Sequence, residues 1–363
     1  ITGYTCGDLF LQDVLLKAAQ DSLRHIAAHS AGKNMLVFVG MPFMHKGKLF
    51  NVAAAICDGR LLGLVPKKNI PNYSEFYELR HFTPGMDECV DTALGVKLGS
   101  RLLFRCENIE ELVVGAEICE DVWVACPPST YHAQAGATLI VNCSASDETT
   151  GKDIYRRALI SGQSARLVCG YIYANAGEGE STQDLVFGGQ NLVCENGNVL
   201  AETQRFKNGT AIAEFDLQRL VNERRRMNTY TVNTGDDYEI VDFTLEKYDL
   251  ELTRYYAKTP FVPSSKVDRD VRCEEILSIQ AMGLKKRLAH TGCRNAVIGI
   301  SGGLDSTLAL LVTARAFDSL SIPRENITAV TMPCFGTTDR TYNNAVELTR
   351  RLGAALTEVN IKE

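Results

Sequence analysis

Nothing in the 363 residues approaches the roughly 18 consecutive apolar positions that a membrane-spanning helix requires. No membrane partner is therefore expected. Dense runs of Lys and Arg are missing too: 38 basic residues stand against 44 acidic ones, a formal net charge of -6. The nearest to a basic cluster is Glu223-Arg224-Arg225-Arg226, which reads as the charged end of a surface helix, so nucleic acid is not expected as a partner. The twelve cysteines include no CxxC pair, which argues against a zinc ribbon or a thioredoxin motif. Several fall in apolar runs such as Ile140-Val141-Asn142-Cys143, where a free thiol acts as a small hydrophobe. Free thiols in that number point to a reducing, cytoplasmic compartment. No Ser-His-Asp arrangement stands out, so a serine hydrolase is not the expected chemistry. His25 and His29 lie one helical turn apart without a third ligand at metal spacing and read as a surface pair.

What is present is an ordinary globular composition, 45% apolar and 23% charged, over a length that exceeds one core and points to two domains. The chain starts at Ile1 and stops at Lys362-Glu363 just after a strand-like run, so both ends read as cut. Up to about residue 250, helix and strand signals alternate. Asp8 to His29 has the apolar spacing of one amphipathic helix. Strands are expected at Met35–Val39, Val52–Cys57, Leu61–Pro66, Leu112–Ile118, Thr138–Cys143 and Val168–Ala174, with a helix from Ile154 to Leu167 before the last. Leu192–Glu195, Asn196-Gly197 and Asn198–Ala201 carry a hairpin signal. Hairpins mixed with helix-connected strands imply a layered α/β fold. Pro260, Pro263, Ser264 and Ser265 mark a linker, placed at 256–271. Beyond it, helix 272–291, strand 295–300, helix 304–317, strand 327–332, helix 341–352 and strand 355–361 predict part of a doubly wound parallel sheet.

Two segments carry the chemistry. Ser301-Gly302-Gly303-Leu304-Asp305-Ser306-Thr307 lies between a strand and a helix. Adjacent glycines let backbone N–H groups approach phosphate oxygens, and the helix start adds positive charge. Ser306 and Thr307 supply hydroxyls, and Asp305 requires a cation between itself and a phosphate, most simply Mg2+. No Gly-Lys-Ser/Thr follows, so this is not a Walker A loop. The second segment is Glu117-Ile118-Cys119-Glu120-Asp121. A lone cysteine at a strand end is ordinarily a core residue. Its acidic neighbours disfavour a thiolate, so an ionised Cys119 needs a cation, and Lys67 in Val65-Pro66-Lys67-Lys68 is the candidate.

The glycine loop resembles that of the ATP-pyrophosphatases, and Thr331-Met332-Pro333 with Thr338-Asp339-Arg340-Thr341-Tyr342 resembles their NAD synthetase branch. Leu64-Val65-Pro66-Lys67 with Tyr73 and Phe76, then Glu117 to Asp121, resembles the nitrilase (carbon-nitrogen hydrolase) superfamily. Gly3 to Asp8 and Gly177 to Ser181 extend the likeness to the glutamine-dependent NAD synthetases. The resemblance implies an αββα nitrilase-like sandwich over 1–255 and the first part of an adenine nucleotide alpha hydrolase-like domain over 272–363.

It implies that Cys119 attacks the glutamine amide and forms a thioester, with Lys67 at the oxyanion and Glu78 as a supporting glutamate; a solvated surface charge is the competing reading of Glu78. The family's general-base glutamate would precede Ile1. Tyr4, Tyr73, Phe76, Glu120, Trp123 and Ser146 would line the glutamine pocket, and Ser301, Gly302, Gly303, Asp305, Ser306, Thr307 and Met332 would bind ATP, with Mg2+ at Asp305. The expected enzyme is a ligase: ammonia from glutamine amidates ATP-adenylylated deamido-NAD to give NAD, AMP and pyrophosphate. A sealed ammonia passage and a homo-oligomer accompany that expectation. The competing readings are a nitrilase-type amidohydrolase joined to another ATP-pyrophosphatase amidotransferase, and an inactive scaffold.

Overall fold

Two glycine turns organise the first third of the chain. Lys46-Gly47 and Asp58-Gly59 all have positive φ, as two-residue hairpins demand. They join β1 (Leu36–His45), β2 (Lys48–Cys57) and β3 (Arg60–Pro66) into an antiparallel meander in which Leu36 faces Cys57 and Val52 faces Pro66. Two short strands, β4 (Val90–Asp91) and β5 (Lys97–Leu98), complete a five-stranded sheet in the order β1-β2-β3-β5-β4. The computed structural model describes residues 1–233, 237–335 and 337–361 and divides into two units, Ile1–Arg254 and Tyr255–Glu363.

The helix expected from Asp8 to His29 is in fact two elements. A 3-10 turn covers Gly7–Leu11, Gln12 is extended, and α1 runs from Asp13 to Ser30. At 3.6 residues per turn, an unbroken helix would set Phe10 about 240° around the axis from Leu16. The break lets Phe10 and Leu16 join Leu49 and Phe82 in one cluster.

The second sheet has seven strands in the order β11-β10-β9-β8-β7-β6-β12. They are β6 (Leu102–Cys106), β7 (Val113–Glu117), β8 (Leu139–Ser144), β9 (Gly170–Asn175), β10 (Leu192–Glu195), β11 (Asn198–Glu202) and β12 (Glu239–Phe243), with β7, β8 and β9 parallel. Their helices are α2 (Pro128–Gln134), α3 (Lys152–Leu167) and α4 (Leu217–Arg226). β6 and β12 have no counterpart among the strands expected from sequence. β12, Glu239-Ile240-Val241-Asp242-Phe243, lacks strict period-two alternation, and its parallel pairing with β6, with Arg105 bonded to Asp242 at 2.7 Å, makes it a strand.

Strand alternation then decides which residues meet. Ala53 and Ala55 of β2 turn toward the second sheet and pack with Phe104, Val114, Ala116 and Val141, while Val52, Ala54 and Ile56 turn toward α1. Ile160 and Leu167 of α3 cover the opposite face of the second sheet over Ile140 and Tyr171. The result is the expected αββα sandwich.

The second unit opens with α5 (Lys266–Thr291), closed by Gly292 in the left-handed conformation. Its start corrects the expected linker 256–271: Ser265 caps the helix by accepting from Asp268 N–H at 3.4 Å, so residues 266–271 are already helical. There follow β13 (Ala296–Gly299), α6 (Leu304–Ser319), β14 (Ile327–Thr331), α7 (Asp339–Leu352) and β15 (Ala355–Glu358), the strands all parallel in the order β13-β14-β15. β15 stops at Glu358, short of the 361 expected. No helix among the described residues is long and apolar enough to cross a membrane. Phe104 is fully buried where the two sheets meet, so Phe104→Ala should cost about 3–5 kcal/mol in a denaturant titration; a loss below about 1 kcal/mol would contradict this packing.

Candidate active site

Cys119 stands where β7 ends and the chain enters a 3-10 turn, Cys119–Val122. Its φ is +45°, a left-handed backbone that costs a non-glycine residue about 1–3 kcal/mol. Two contacts hold it. The Cys119 N–H donates to Asn142 Oδ1 at 2.9 Å. The buried Asp121 carboxylate accepts from Ile118 N–H at 3.0 Å and reaches across to the segment after β3, accepting from Asn69 N–H at 2.8 Å, Asn69 Nδ2 at 2.9 Å and Lys68 N–H at 3.4 Å. Burial pushes the Asp121 carboxyl above its usual range, and these donors partly offset that.

Asp121 thereby fastens Lys67, the last residue before Lys68, beside the cysteine turn. Lys67 is 1% exposed, and its Nζ donates to Glu78 Oε1 at 2.5 Å. Burial alone would lower the ammonium pKa; the negative charges of Cys119, Glu78 and Asp121 outweigh it and hold the group above its ordinary value. Glu78 is buried, not a solvated surface charge, and Tyr4 also donates to its Oε1 at 2.9 Å. Its Oε2 is buried with no hydrogen-bond partner among the described residues. Burial first, then the Glu78 charge, drives the Tyr4 hydroxyl well above its usual range, so it stays a donor.

A cavity of about 310 Å³ opens over this cluster, lined by Tyr4, Lys67, Cys119, Asn175 and Glu180 among others. The remaining expected pocket residues lie outside that lining and group beside it. Tyr73 donates to Glu120 Oε1 at 2.8 Å and meets the Phe76 ring edge-on at 5.8 Å. Trp123 leans on Tyr155 at 5.5 Å. Ser146 is buried, its Oγ accepting from Arg156 at 3.3 Å. Sequence reasoning missed the residue that ties this group together. Lys152 Nζ lies 5.7 Å from the Phe76 ring centre and 5.6 Å from that of Trp123, and forms an ion pair with Asp147. Nothing in the sequence around Lys152 marks it, since its partners come from three other segments. Glu180 was legible as part of an acidic glycine-rich stretch; the structure shows it gripping Tyr4 N–H at 2.9 Å.

In the second unit the loop between β13 and α6 is built as the glycines require. Gly302 has φ +78°, and a Cβ there would fall 1.9 Å from Thr341 O on α7. Ser301 N–H donates to Ser306 Oγ at 3.2 Å, and Gly303 N–H to Ser301 Oγ at 3.3 Å. Asp305 and Met332 are exposed, Met332 just past the end of β14. A single exposed carboxylate on the first turn of α6 fits Mg2+, which binds through one or two carboxylates plus water and phosphate oxygens. Among the described residues no group of three or more His, Cys, Asp or Glu could hold a metal unaided.

A profile of the carbon-nitrogen hydrolase family matches residues 1–225. The chain belongs to that family. Its second unit is similar to another: the NAD synthase profile matches residues 276–363. Among curated relatives, the glutamine-dependent NAD(+) synthetase of Mycobacterium tuberculosis H37Rv is 40% identical over 374 residues, 99% of this chain and 55% of the relative. That of Mycobacterium leprae is 40% identical over 376 residues, 100% of this chain and 55% of the relative. The chain thus spans about half the length of the curated relatives it matches. Among solved structures, the glutamine-dependent NAD(+) synthetase of Cytophaga hutchinsonii aligns with TM-score 0.52 at 22% identity, covering 100% of this chain and 58% of that one. The Acinetobacter baumannii enzyme, solved with ADP, aligns with TM-score 0.51 at 24% identity over 99% and 56%. These structures support the carbon-nitrogen hydrolase fold and its neighbour.

The carboxylate of Asp121 is the link between the lysine segment and the cysteine turn. Asp121→Ala would leave the buried Ile118 N–H unpaired, at about 1–3 kcal/mol, and free the part-buried Asn69 and Lys68 donors. Hydrogen exchange at the Ile118 and Asn69 amides should then accelerate at least tenfold relative to the rest of β7; unchanged exchange would show that the clasp holds nothing.

Proposed function

We propose that the chain is the glutamine-hydrolysing and ATP-binding part of a glutamine-dependent NAD synthetase. The observation that carries this is the buried Lys67–Glu78 pair, 2.5 Å apart, whose lysine lines a cavity together with a cysteine in a left-handed turn. An ammonium that cannot lose its charge supports a Cys119 thiolate and then the oxyanion formed when that sulfur attacks the glutamine carboxamide. The nitrogen takes up the proton that the Cys119 thiol gave up, the C–N bond breaks and ammonia leaves; water then hydrolyses the thioester to glutamate and returns the sulfur as a thiol. Glu78, anchored by Lys67 and Tyr4, keeps the ammonium oriented. Tyr73, Phe76, Glu120, Trp123 and Ser146 form the outer wall, where Lys152 adds a cation suited to the α-carboxylate of glutamine.

On this reading residues 1–255 are the glutaminase domain, and the synthetase domain begins with α5. Ser301, Gly302, Gly303, Ser306 and Thr307 cradle the phosphates of ATP, with Met332 at the strand edge beside them. Asp305 would hold Mg2+, which supplies charge neutralisation between the carboxylate and the phosphates. Adenylylation of the nicotinate carboxylate of deamido-NAD then lets ammonia displace AMP and give NAD. A cytoplasmic location suits the free cysteines, and a homo-oligomer would close the passage for ammonia. An amidotransferase for a different acid is the alternative, and product analysis with deamido-NAD separates the two.

A glutamine-like diazoketone should label Cys119 stoichiometrically, and mass spectrometry of the Cys119 peptide reads this directly. Cys119→Ser should abolish labelling. Lys67→Met combined with Glu78→Gln, which leaves no unpaired buried charge, should fold yet label at least about a hundredfold more slowly. Wild-type labelling at any other cysteine would reject the assignment. For the second unit, Gly302→Ala drives a methyl into Thr341 O and should weaken ATP binding at least about tenfold by calorimetry; an unchanged Kd would place the nucleotide elsewhere.

A further inference from the structure

Glu117 is two residues before the nucleophile, yet its side chain faces away from the cavity. The sequence presents it as one of the acidic neighbours of Cys119. In the fold, β7 alternation turns its carboxylate into the layer between the second sheet and α2, where it is 1% exposed. There Oε1 accepts the hydroxyl proton of Tyr171 on β9, and Oε2 accepts from Ser129 N–H at the start of α2, at 2.8 Å. The Tyr171 oxygen accepts from Asn142 Nδ2 at 3.1 Å, and Asn142 Oδ1 accepts from Cys119 N–H at 2.9 Å. All three side-chain groups are buried, Tyr171 completely.

This is a one-way relay. A peptide N–H can only donate, so Asn142 must turn its oxygen to Cys119 and its NH2 to Tyr171. Tyr171 must then spend its single proton on Glu117. A carboxylate, which only accepts, is the one neutral-volume end group that satisfies both Tyr171 and Ser129 N–H. An amide there fails in either orientation: with its NH2 toward Ser129 two donors collide, and with its NH2 toward Tyr171 the relay reverses and Asn142 presents NH2 to the Cys119 N–H.

We propose that Glu117 is a positioning residue for Cys119: acting through Tyr171 and Asn142, its carboxylate fixes which atom of the Asn142 amide meets the Cys119 N–H, and so holds the left-handed backbone that presents the thiol. The proposal rests on Cys119 being the nucleophile. Burial pushes the Glu117 carboxyl up to about 7 against the pull of Tyr171 and Ser129, with Asp121 adding repulsion. The other titratable groups nearby are Cys169, which burial keeps protonated, and His132 of α2, which burial lowers to about 4 and whose nitrogens are taken by Ala116 O and Tyr238 OH. Below about 7 the protonated Glu117 hydroxyl becomes a donor toward Tyr171 and the relay loses its direction; above it the relay is set.

The test is the alkylation rate of Cys119 by iodoacetamide, followed by mass spectrometry of its peptide at pH values on both sides of about 7. Wild type should show a rise through that pH, and Glu117→Gln should lose this rise and react at least about tenfold more slowly at the upper end. The double variant Glu117→Gln, Asn142→Asp should recover most of the rate. In it every bond is satisfied in the reversed sense: the glutamine NH2 donates to Tyr171, Tyr171 donates to the new carboxylate, and that carboxylate accepts from Cys119 N–H. A role in stability alone gives no such rescue. Should Glu117→Gln fail to fold, Tyr171→Phe interrupts the same relay and must slow alkylation by a similar factor. A wild-type rate and pH profile in Glu117→Gln or Tyr171→Phe, or a double variant no faster than Glu117→Gln, overturns the proposal. Because iodoacetamide needs no glutamine pocket, loss of diazoketone labelling with this series intact rejects the glutamine reading and leaves the positioning role standing.

Discussion

The first unit depends on one backbone conformation that its residue would not choose. A cysteine at φ +45° persists only where the surroundings over-determine it, and here a side chain grips it from either side. Asp121 binds the turn to the lysine segment, and Asn142 holds the cysteine N–H. Both grips need rigid strands behind them. Cys119 accordingly follows the end of β7, whose partners β6 and β8 are themselves paired on their far sides. A loop between mobile elements could not store the strain.

The same site shows how buried charge is kept affordable. Lys67, Glu78, Asp121 and Glu117 are all nearly inaccessible to water. Each has partners that favour one protonation state: Glu78 and the cysteine for the lysine, backbone amides for Asp121, a tyrosine and an amide for Glu117. A buried ion pair of this kind adds little to stability compared with apolar packing. Its presence therefore marks a function that needs charge in a dry place, where electrostatic interactions are stronger than in water.

The second unit works by the opposite means. Its loop between β13 and α6 presents backbone, not buried charge, and depends on Gly302 being able to pass within contact of Thr341 O. Its lone carboxylate, Asp305, is exposed. Exposed amides and a helix start act through proximity and dipoles, so such a loop can stay open, whereas the charges around Lys67 are enclosed.

Most strands of both units and the hairpin at Asn196-Gly197 were legible in the sequence, because period-two alternation and an Asn-Gly pair are local signals, whereas β4, β5, β6 and β12 were not. Cys119 did not stand out by itself: a lone cysteine after a strand looks like a core thiol, and only likeness to a family set it apart. The helix break at Gln12, the strand status of β12, Lys152 beneath two aromatic rings and the direction in which Glu117 points were decided by the tertiary structure. Each depends on groups distant in sequence, such as Tyr171 for Glu117 or Leu102–Cys106 for β12. Local patterning determines what a segment can become. Which polar atoms must find partners once water is excluded is settled only when the sheets close on each other, and here that closure turned an acidic neighbour of Cys119 into a buried group facing away from it.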